Sequence, residues 1–148
     1  MLDLGLAIAH HLLIFALFGV LFAELVLVRR GLDVPGVRRV ASIDLWYGVL
    51  AGLIIAAGFS RAVFAAKGWA YYSHNLFFWA KIGTFALVGL LSIPPRVAYL
   101  RWRKAGGSPD DAKVAGVRRF LYAELLLFAL LPAFAAAMAR GYGEIYPR

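Results

Sequence analysis

Apolar residues form four long stretches along this chain, and short polar segments separate them. The stretches run over residues 4–28, 45–66, 76–93 and 120–139. An α-helix crosses the ~30 Å hydrocarbon core of a bilayer with about 20 apolar residues, so each stretch is long enough to span a membrane. The pattern therefore predicts an all-α membrane protein built as a bundle of four transmembrane helices.

Composition indicates one membrane domain and leaves no room for a water-soluble one. Of the 148 residues, 63% are hydrophobic and 16% are charged, whereas soluble domains carry about 25% charged residues. We expect a single domain over residues 1–148. Asp3 precedes the first stretch and His10 and His11 interrupt it, so we expect a retained helix and not a cleaved signal peptide. The absence of cysteine excludes disulfides, thiolate nucleophiles and cysteine-ligated metal centres.

The net charge of +8 is distributed unevenly. Eleven of the sixteen lysines and arginines lie in residues 29–39 and 96–119, around the first and third connections. The other five are Arg61, Lys67, Lys81, Arg140 and Arg148. Because cytoplasmic loops carry an excess of lysine and arginine, we expect both termini in the periplasm and the chain in a bacterial inner membrane. The lipid bilayer, with its anionic headgroups, and not nucleic acid, is the expected partner of the basic segments.

The connections predict two helical hairpins. Glycine and proline in residues 31–36 end the first helix, and the two prolines at 94–95 end or kink the third. The connection between the second and third helices is aromatic over residues 69–79, and we expect it to lie flat at the membrane–water interface. Gly-Val-Arg-Arg occurs at residues 36–39 and again at 116–119, which suggests hairpins of parallel topology. A basic loop leading into a helix explains the same match equally well.

Small residues indicate which helix faces pack. In the first helix a stripe of small residues, with one leucine, consists of Gly5, Ala9, Leu12, Ala16, Gly19 and Ala23. In the second helix Gly48, Gly52 and Ala56 recur at a spacing of four. Such lines let helix backbones approach closely in lipid. Asp44 lies one turn before Gly48, so we expect its carboxylate to point into the bundle.

Ionisable side chains inside the apolar stretches form two layers. Such a group costs about 2.5–3.5 kcal/mol at the centre of a helix in the bilayer, so it needs a partner, a ligand or a function. The inner layer, near the basic loops, contains Glu24, Asp44 and Glu124. We expect arginines to pair with these carboxylates. Glu24 could reach Arg29 or another loop arginine. For Asp44 and Glu124 the candidate partners are Arg39, Arg118 and Arg119. A proton path or a site for an anionic headgroup is the functional alternative.

The outer layer lies near the opposite helix ends and contains His10, His11 and Lys81, with Arg61, His74 and Arg140 close by. Asp3 and Glu144, at the termini, are its only carboxylates, so Lys81 has no obvious buried counter-ion. A lysine there snorkels outward, loses its proton or meets an anion on a ligand. A transmembrane histidine is a candidate ligand for haem iron or zinc. His10 and His11 lie about 100° apart around a helix, so only one can face a given centre.

Several short motifs resemble those of an uncharacterised family of bacterial four-helix membrane proteins. In chain order they include Ala-His-His at 9–11, Glu-Leu-Val-Leu at 24–27, Asp-Leu-Trp-Tyr-Gly at 44–48, Phe-Trp-Ala-Lys-Ile-Gly at 78–83 and Arg-Trp-Arg-Lys at 101–104. The resemblance covers essentially the whole chain. It implies a fold and a membrane location, and it implies no activity.

A more distant resemblance concerns chemistry. A histidine early in the first helix, with an aromatic-x-Lys start to the third, is similar to HemJ-type protoporphyrinogen oxidases, small bacterial membrane proteins that bind haem b. This resemblance implies that His10 or His11 matches the haem-ligating histidine and that Lys81 matches the essential lysine. The doubled histidine and the carboxylates of the second and fourth helices depart from the oxidase pattern. Residues 81–88 also resemble the membrane domain of CopD-type copper-resistance proteins.

These observations leave three functions open. The first is a haem-b-binding membrane protein that carries out a redox reaction on a tetrapyrrole or quinone. Its candidate cofactor-binding residues are His10, His11, Arg61, His74 and Lys81, with His10 and His11 as candidate iron ligands and Lys81 as candidate catalytic residue. The second is a non-enzymatic structural or accessory subunit of a homo-oligomer or larger membrane complex, in which the buried polar residues hold the bundle together. The third is a copper-handling protein, which the presence of only two methionines disfavours.

Overall fold

The computed structural model describes residues 2–64 and 68–145 and contains helices and no strand within them. The helices are α1 (Leu2–Leu27), α2 (Val34–Phe64), α3 (Gly68–Ser73), α4 (Leu76–Leu91), α5 (Ile93–Ala105), α6 (Asp111–Phe128) and α7 (Leu130–Ala139). Four segments are long and apolar enough to cross a membrane: Leu4–Leu27, Val34–Phe64, Leu76–Ala105 and Asp111–Ala139. The prediction of an all-α protein with four spans is confirmed. Lys67 and Arg148, which entered the charge argument, lie outside the described residues.

The second and fourth spans begin earlier than the apolar pattern predicts. The pattern places their starts at residues 45 and 120, whereas α2 begins at Val34 and α6 at Asp111. The early turns of both helices carry arginines, which are good helix formers. A pattern that counts only apolar residues therefore misses the turns that extend beyond the hydrocarbon core.

Prolines divide the third and fourth spans. α5 carries the pair at residues 94–95 in its first turn, where a missing backbone N–H is tolerated. This break follows Leu91, so the predicted kink in the third span is confirmed. α6 ends at Phe128, four residues before Pro132, whose ring would clash with that carbonyl in a continuous helix.

The two ends of the bundle differ in composition. At one end the connections over residues 28–33 and 106–110 lie together, and Gly31 N donates to Asp111 Oδ1 at 3.0 Å. We call this the basic end, because the arginine-rich segments lie beside it. At the other end α3 and the C-terminal segment meet the start of α4, where Leu76 N donates to Gly143 O at 2.8 Å. We call this the aromatic end.

The helices α1–α2 and α4–α7 form two closely packed pairs, and the contacts of α1 and α2 with the other spans lie mainly in the half of the bundle near the basic end. α1 packs along α2, and this pair contacts the other spans through α1–α6 and α2–α5. Neither α1 nor α2 packs closely against α4 or α7 in the described residues. The buried core accordingly includes Leu17, Leu21, Val37, Val40, Tyr99, Val114 and Leu121. In residues 4–16 only His10 is buried, and in residues 55–64 only Ala62. We call the region around His10, Arg61 and Lys81, where α1 and α2 lie beside α4 without close packing, the cleft.

The small residues do not pack as expected. Most of the stripe predicted to be the packing face of α1 is exposed, so that prediction is wrong for the described chain. In α2, two glycines instead leave space for side chains from other helices. A Cβ atom on Gly48 would lie 2.9 Å from Arg96 Nη1, and one on Gly58 would lie 3.3 Å from His10 Cε1. Gly52 has no such neighbour within 4 Å.

Candidate functional site

His10 is the buried histidine of the first span. It is 7% exposed and faces α2 at Gly58, whose missing side chain leaves room for the imidazole ring. His11 is exposed, and its Nδ1 lies 2.7 Å from Ala7 O, one turn back in α1. The structure therefore distinguishes the two candidate ligands, because His10 is buried against α2 whereas His11 is exposed.

Two cationic side chains share the cleft with His10. Lys81 lies in the second turn of α4 and Arg61 near the end of α2, and both interact electrostatically with the His10 ring. Lys81 and Arg61 also interact with each other. Both are partly buried, so water screens them less than it would at the surface. Three helices thus bring His10, Arg61 and Lys81 to one place.

Two buried nitrogen atoms of this cleft lack a hydrogen-bond partner among the described residues. They are His10 Nδ1 and Arg61 Nε. Over the described residues no carboxylate forms an ion pair with Lys81 or Arg61. Unpaired cations are costly at membrane depth. The cleft is therefore suited to a ligand that brings negative charge.

His74 does not share these contacts. It is exposed just after α3, where its Nδ1 lies 2.8 Å from Ala70 O and 3.3 Å from Ser73 Oγ. Over residues 2–64 and 68–145 no group of three or more histidine, aspartate or glutamate side chains could hold a metal ion. A structural zinc site, which needs four ligands, is therefore not formed by the described residues. Haem iron can be held by a single histidine, and so its requirement is compatible with His10 alone.

The inner layer lies in the half of the bundle near the basic end. Of its three carboxylates, Asp44 is the one that forms an ion pair among the described residues. Asp44 is 5% exposed, and its Oδ2 lies 3.6 Å from Arg96 Nε on α5. Gly48, one turn after Asp44, provides the space through which the guanidinium group reaches the carboxylate. The expected inward orientation of Asp44 is confirmed, but the expected partner is wrong. The expected partners Arg39, Arg118 and Arg119 form no ion pair with Asp44 among the described residues.

The two glutamates accept hydrogen bonds from tyrosines. Tyr47 OH donates to Glu124 Oε2 at 3.0 Å, and Tyr99 OH donates to Glu24 Oε2 at 3.2 Å. All four side chains are buried. The prediction that arginines pair with these glutamates is therefore wrong within the described residues. A hydroxyl donor satisfies a carboxylate oxygen without bringing a second charge into the bundle.

The three carboxylates also influence one another. Glu24 interacts electrostatically with both Asp44 and Glu124, and Glu124 interacts with Asp44. The Oε1 atoms of Glu24 and Glu124 are buried and accept no hydrogen bond from the described residues. The inner layer is thus an acidic cluster with Arg96 beside it, whereas the outer cleft is cationic.

Arg118 has a structural role at the basic end. Its Nη1 donates to Leu25 O at 2.9 Å and also to Val28 O, and its Nη2 donates to Tyr122 OH at 2.8 Å. The last carbonyls of a helix have no intrahelical donor. Arg118 supplies that donor from α6 and ties the end of α1 to the fourth span.

Comparison with known proteins agrees with this architecture. Residues 2–143 match the family described as "Predicted membrane protein (DUF2214)". The chain belongs to the DUF2214 family. No curated protein and no solved structure matches it. Family membership and the four spans support an integral membrane protein. The DUF2214 description names no activity, so the similarity to HemJ-type and CopD-type proteins stays a prediction.

The tyrosine donors of this DUF2214 chain are marked in the sequence by their spacing from charged residues. Tyr47 follows Asp44 by three residues and Tyr99 follows Arg96 by three, which places each on the same helix face as a charged residue. Spacing cannot show which residues then meet. The hydrogen bonds join residues 77 and 75 positions apart, and only the packing of the spans determines them.

Proposed function

We propose that this protein binds haem b in the cleft near the aromatic end, with His10 as the protein ligand of the iron. The observation that supports this most strongly is the environment of His10. It is the single buried residue in residues 4–16, and its Nδ1 has no partner among the described residues. The neighbouring His11 has its Nδ1 beside a backbone carbonyl and faces outward.

Lys81 and Arg61 fit the acidic edge of a haem. Each lacks a carboxylate partner among the described residues, and each interacts electrostatically with His10. Porphyrin propionates would supply the missing anions, and arginine in particular forms paired hydrogen bonds with a carboxylate. In this half α1 and α2 do not pack closely against α4 or α7 among the described residues, which favours insertion of a flat, mostly apolar ring between the two pairs.

The expected chemistry is a redox reaction on a tetrapyrrole or quinone. Bound haem supplies one-electron chemistry that no side chain of this cleft can supply. Lys81 can hold or release a proton at Nζ beside the site, whereas Arg61 keeps its charge and serves for binding. The similarity to HemJ-type oxidases supports a porphyrinogen as the substrate to test first.

We also propose that the basic end faces the cytoplasm of a bacterial inner membrane, so that both termini and the cleft lie on the periplasmic side. The support is the concentration of eleven of sixteen basic residues around two connections at one end. A reporter fused after Gly107 should behave as cytoplasmic, and one fused to the C-terminus as periplasmic. A cytoplasmic C-terminal reporter would reverse this orientation.

An absorption spectrum tests the cofactor. Protein purified from cells with ample haem should show a Soret band, and the pyridine haemochrome should identify the haem as type b. Lys81→Ala should keep the band and lose oxidation of a porphyrinogen with a quinone as electron acceptor. Lys81→Arg should not restore that activity, because arginine does not readily release its proton.

A colourless preparation without tetrapyrrole by mass spectrometry would overturn the proposal. The alternative function, a non-enzymatic subunit of a larger complex or homo-oligomer, would then take its place. Under that alternative the protein should instead co-purify, after mild solubilisation, with stoichiometric partner subunits or with further copies of itself.

A further inference from the structure

A groove at the basic end lies apart from the haem cleft. It has a volume of about 420 Å³ and is bounded by the arginines that follow α1 and by the first turns of α6. Its basic residues are Arg29, Arg30, Arg118 and Arg119. Tyr122 and the buried Val114 complete the wall and the floor.

Hydrogen bonds hold the groove in shape. Arg118 donates to the carbonyls of Leu25 and Val28 and to the hydroxyl of Tyr122. Asp111 Oδ1 accepts from Gly31 N at 3.0 Å on the far side of the same junction. The two walls, which come from α1 and α6, are therefore joined on both sides of the groove.

The remaining arginines are available to an anion. Arg29, Arg30 and Arg119 are exposed, and none forms an ion pair in the part of the chain that the structure describes. The nearby carboxylates are occupied elsewhere. Asp33 accepts from Gly36 N, Asp110 pairs with Lys113, and Asp111 accepts from Gly31 N. Guanidinium groups bind phosphate through paired hydrogen bonds, so the groove matches a phosphate group.

Apolar residues continue from the groove along the two helices. Val26 lies in the last turn of α1, four residues before Arg30, and is 56% exposed, and Leu126 follows Tyr122 by one turn of α6 and is 74% exposed. Both lie on the membrane side of the arginines of the groove, where acyl chains would be. Tyr122 stands between the polar and apolar parts, as amphipathic aromatic residues do at the membrane interface.

We propose that this groove binds one anionic phospholipid, with the phosphate among Arg29, Arg30 and Arg119 and the acyl chains along Val26 and Leu126. The combination of arginines with an adjoining apolar track favours a lipid over a soluble phosphate compound. This proposal does not depend on haem, because the groove and the cleft share no residue.

Native mass spectrometry of the purified full chain tests the lipid site. The probes are phosphatidylglycerol and phosphatidylcholine with identical acyl chains, titrated separately. Phosphatidylglycerol should remain bound as a single copy at collision energies that remove phosphatidylcholine. The double variant Arg29→Gln/Arg30→Gln should weaken phosphatidylglycerol binding by roughly tenfold or more, since it removes two charges that act on the headgroup.

A second double variant serves as a matched control, because it removes the same number of charges as Arg29→Gln/Arg30→Gln from another place at the basic end. Arg101→Gln/Arg103→Gln removes two exposed arginines from the last turns of α5, outside the groove. This variant should change binding by less than about twofold if binding is local and not a general attraction of the positive end. Equal losses in the two double variants would overturn the proposal.

Two further results separate a lipid from a soluble anion. Leu126→Ser should weaken phosphatidylglycerol binding although it changes no charge, because it removes apolar surface beside the acyl chains. Inorganic phosphate at millimolar concentration should fail to displace the lipid. Displacement by phosphate together with an unaffected Leu126→Ser variant would show a site for a soluble anion and contradict the proposal.

Discussion

The two halves of this bundle treat their ionisable residues differently. Near the basic end, buried Asp44 forms an ion pair with Arg96, and buried Glu124 accepts a hydrogen bond from Tyr47 of another span. In the cleft near the aromatic end, His10 and Arg61 have buried nitrogen atoms without a hydrogen-bond partner among the described residues. The difference follows the packing between spans, because α1 and α2 contact the other spans mainly in the first half, through α5 and α6. There each carboxylate obtains a partner from another span, although the Oε1 atoms of both glutamates stay unpartnered among the described residues.

The largest loss of stability is expected at the Asp44–Arg96 pair. Arg96→Leu leaves the nearly inaccessible Asp44 carboxylate without its cation and should lower the free energy of unfolding by about 2–3 kcal/mol. Asp44→Asn should cost less, because the Arg96 side chain is 44% exposed and keeps access to polar surroundings. Equilibrium denaturation in mixed micelles, followed by circular dichroism, measures both. A larger cost for Asp44→Asn would contradict the packing described here.

A smaller loss is expected at the glutamate–tyrosine pair. Glu124→Ala should lower the free energy of unfolding by about 1–3 kcal/mol, since it removes the acceptor of a buried hydroxyl and leaves a gap. Tyr47→Phe should cost about 1–2 kcal/mol, because Glu124 then loses its described donor. If Glu124→Ala keeps full stability and abolishes an activity, the inner layer is functional and the comparison fails.

The four spans, the break in the third span and the inward orientation of Asp44 could be predicted from the sequence, because each depends on a local pattern. Hydropathy gives the length of a span, and the prolines at 94–95 mark where the helix is interrupted. The partners of the buried carboxylates could not be predicted in this way. Arg96 and Tyr99 reach carboxylates on other spans, and their proximity is set by the way the helices pack. The choice of His10 over His11 likewise depends on which face of α1 meets Gly58.

In the cleft, removal of a charged side chain should not lower the free energy of unfolding, in contrast to Arg96→Leu at the basic end. Lys81→Met replaces a partly buried cation that has no anion among the described residues, so the haem-free protein should keep its free energy of unfolding within about 0.5 kcal/mol or gain stability. The same denaturation measurement applies. A loss comparable to that of Arg96→Leu would mean that Lys81 supports the fold and is not available to a ligand.

The smallest effect is expected at Gly58. Gly58→Ala places a Cβ atom 3.3 Å from His10 Cε1, so the ring must shift by a few tenths of an ångström. The Soret maximum should move while haem is retained. Gly52→Ala on the same helix is the matched control, since its Cβ would meet no such atom within 4 Å, and it should leave the spectrum unchanged. Identical spectra for both variants would place the iron ligand away from Gly58.

The most direct test compares His10→Ala with His11→Ala. The two histidines are adjacent in α1, but only His10 is buried against the cleft. The haem content of each purified variant should be measured from the Soret absorbance per protein, with folding checked by size-exclusion chromatography and circular dichroism. We expect His10→Ala to lose the Soret band or shift it strongly while remaining folded, and His11→Ala to retain the band of the unmodified protein. Retention of an unchanged band in His10→Ala, or its loss in His11→Ala alone, would contradict the assignment of the cleft as the haem site.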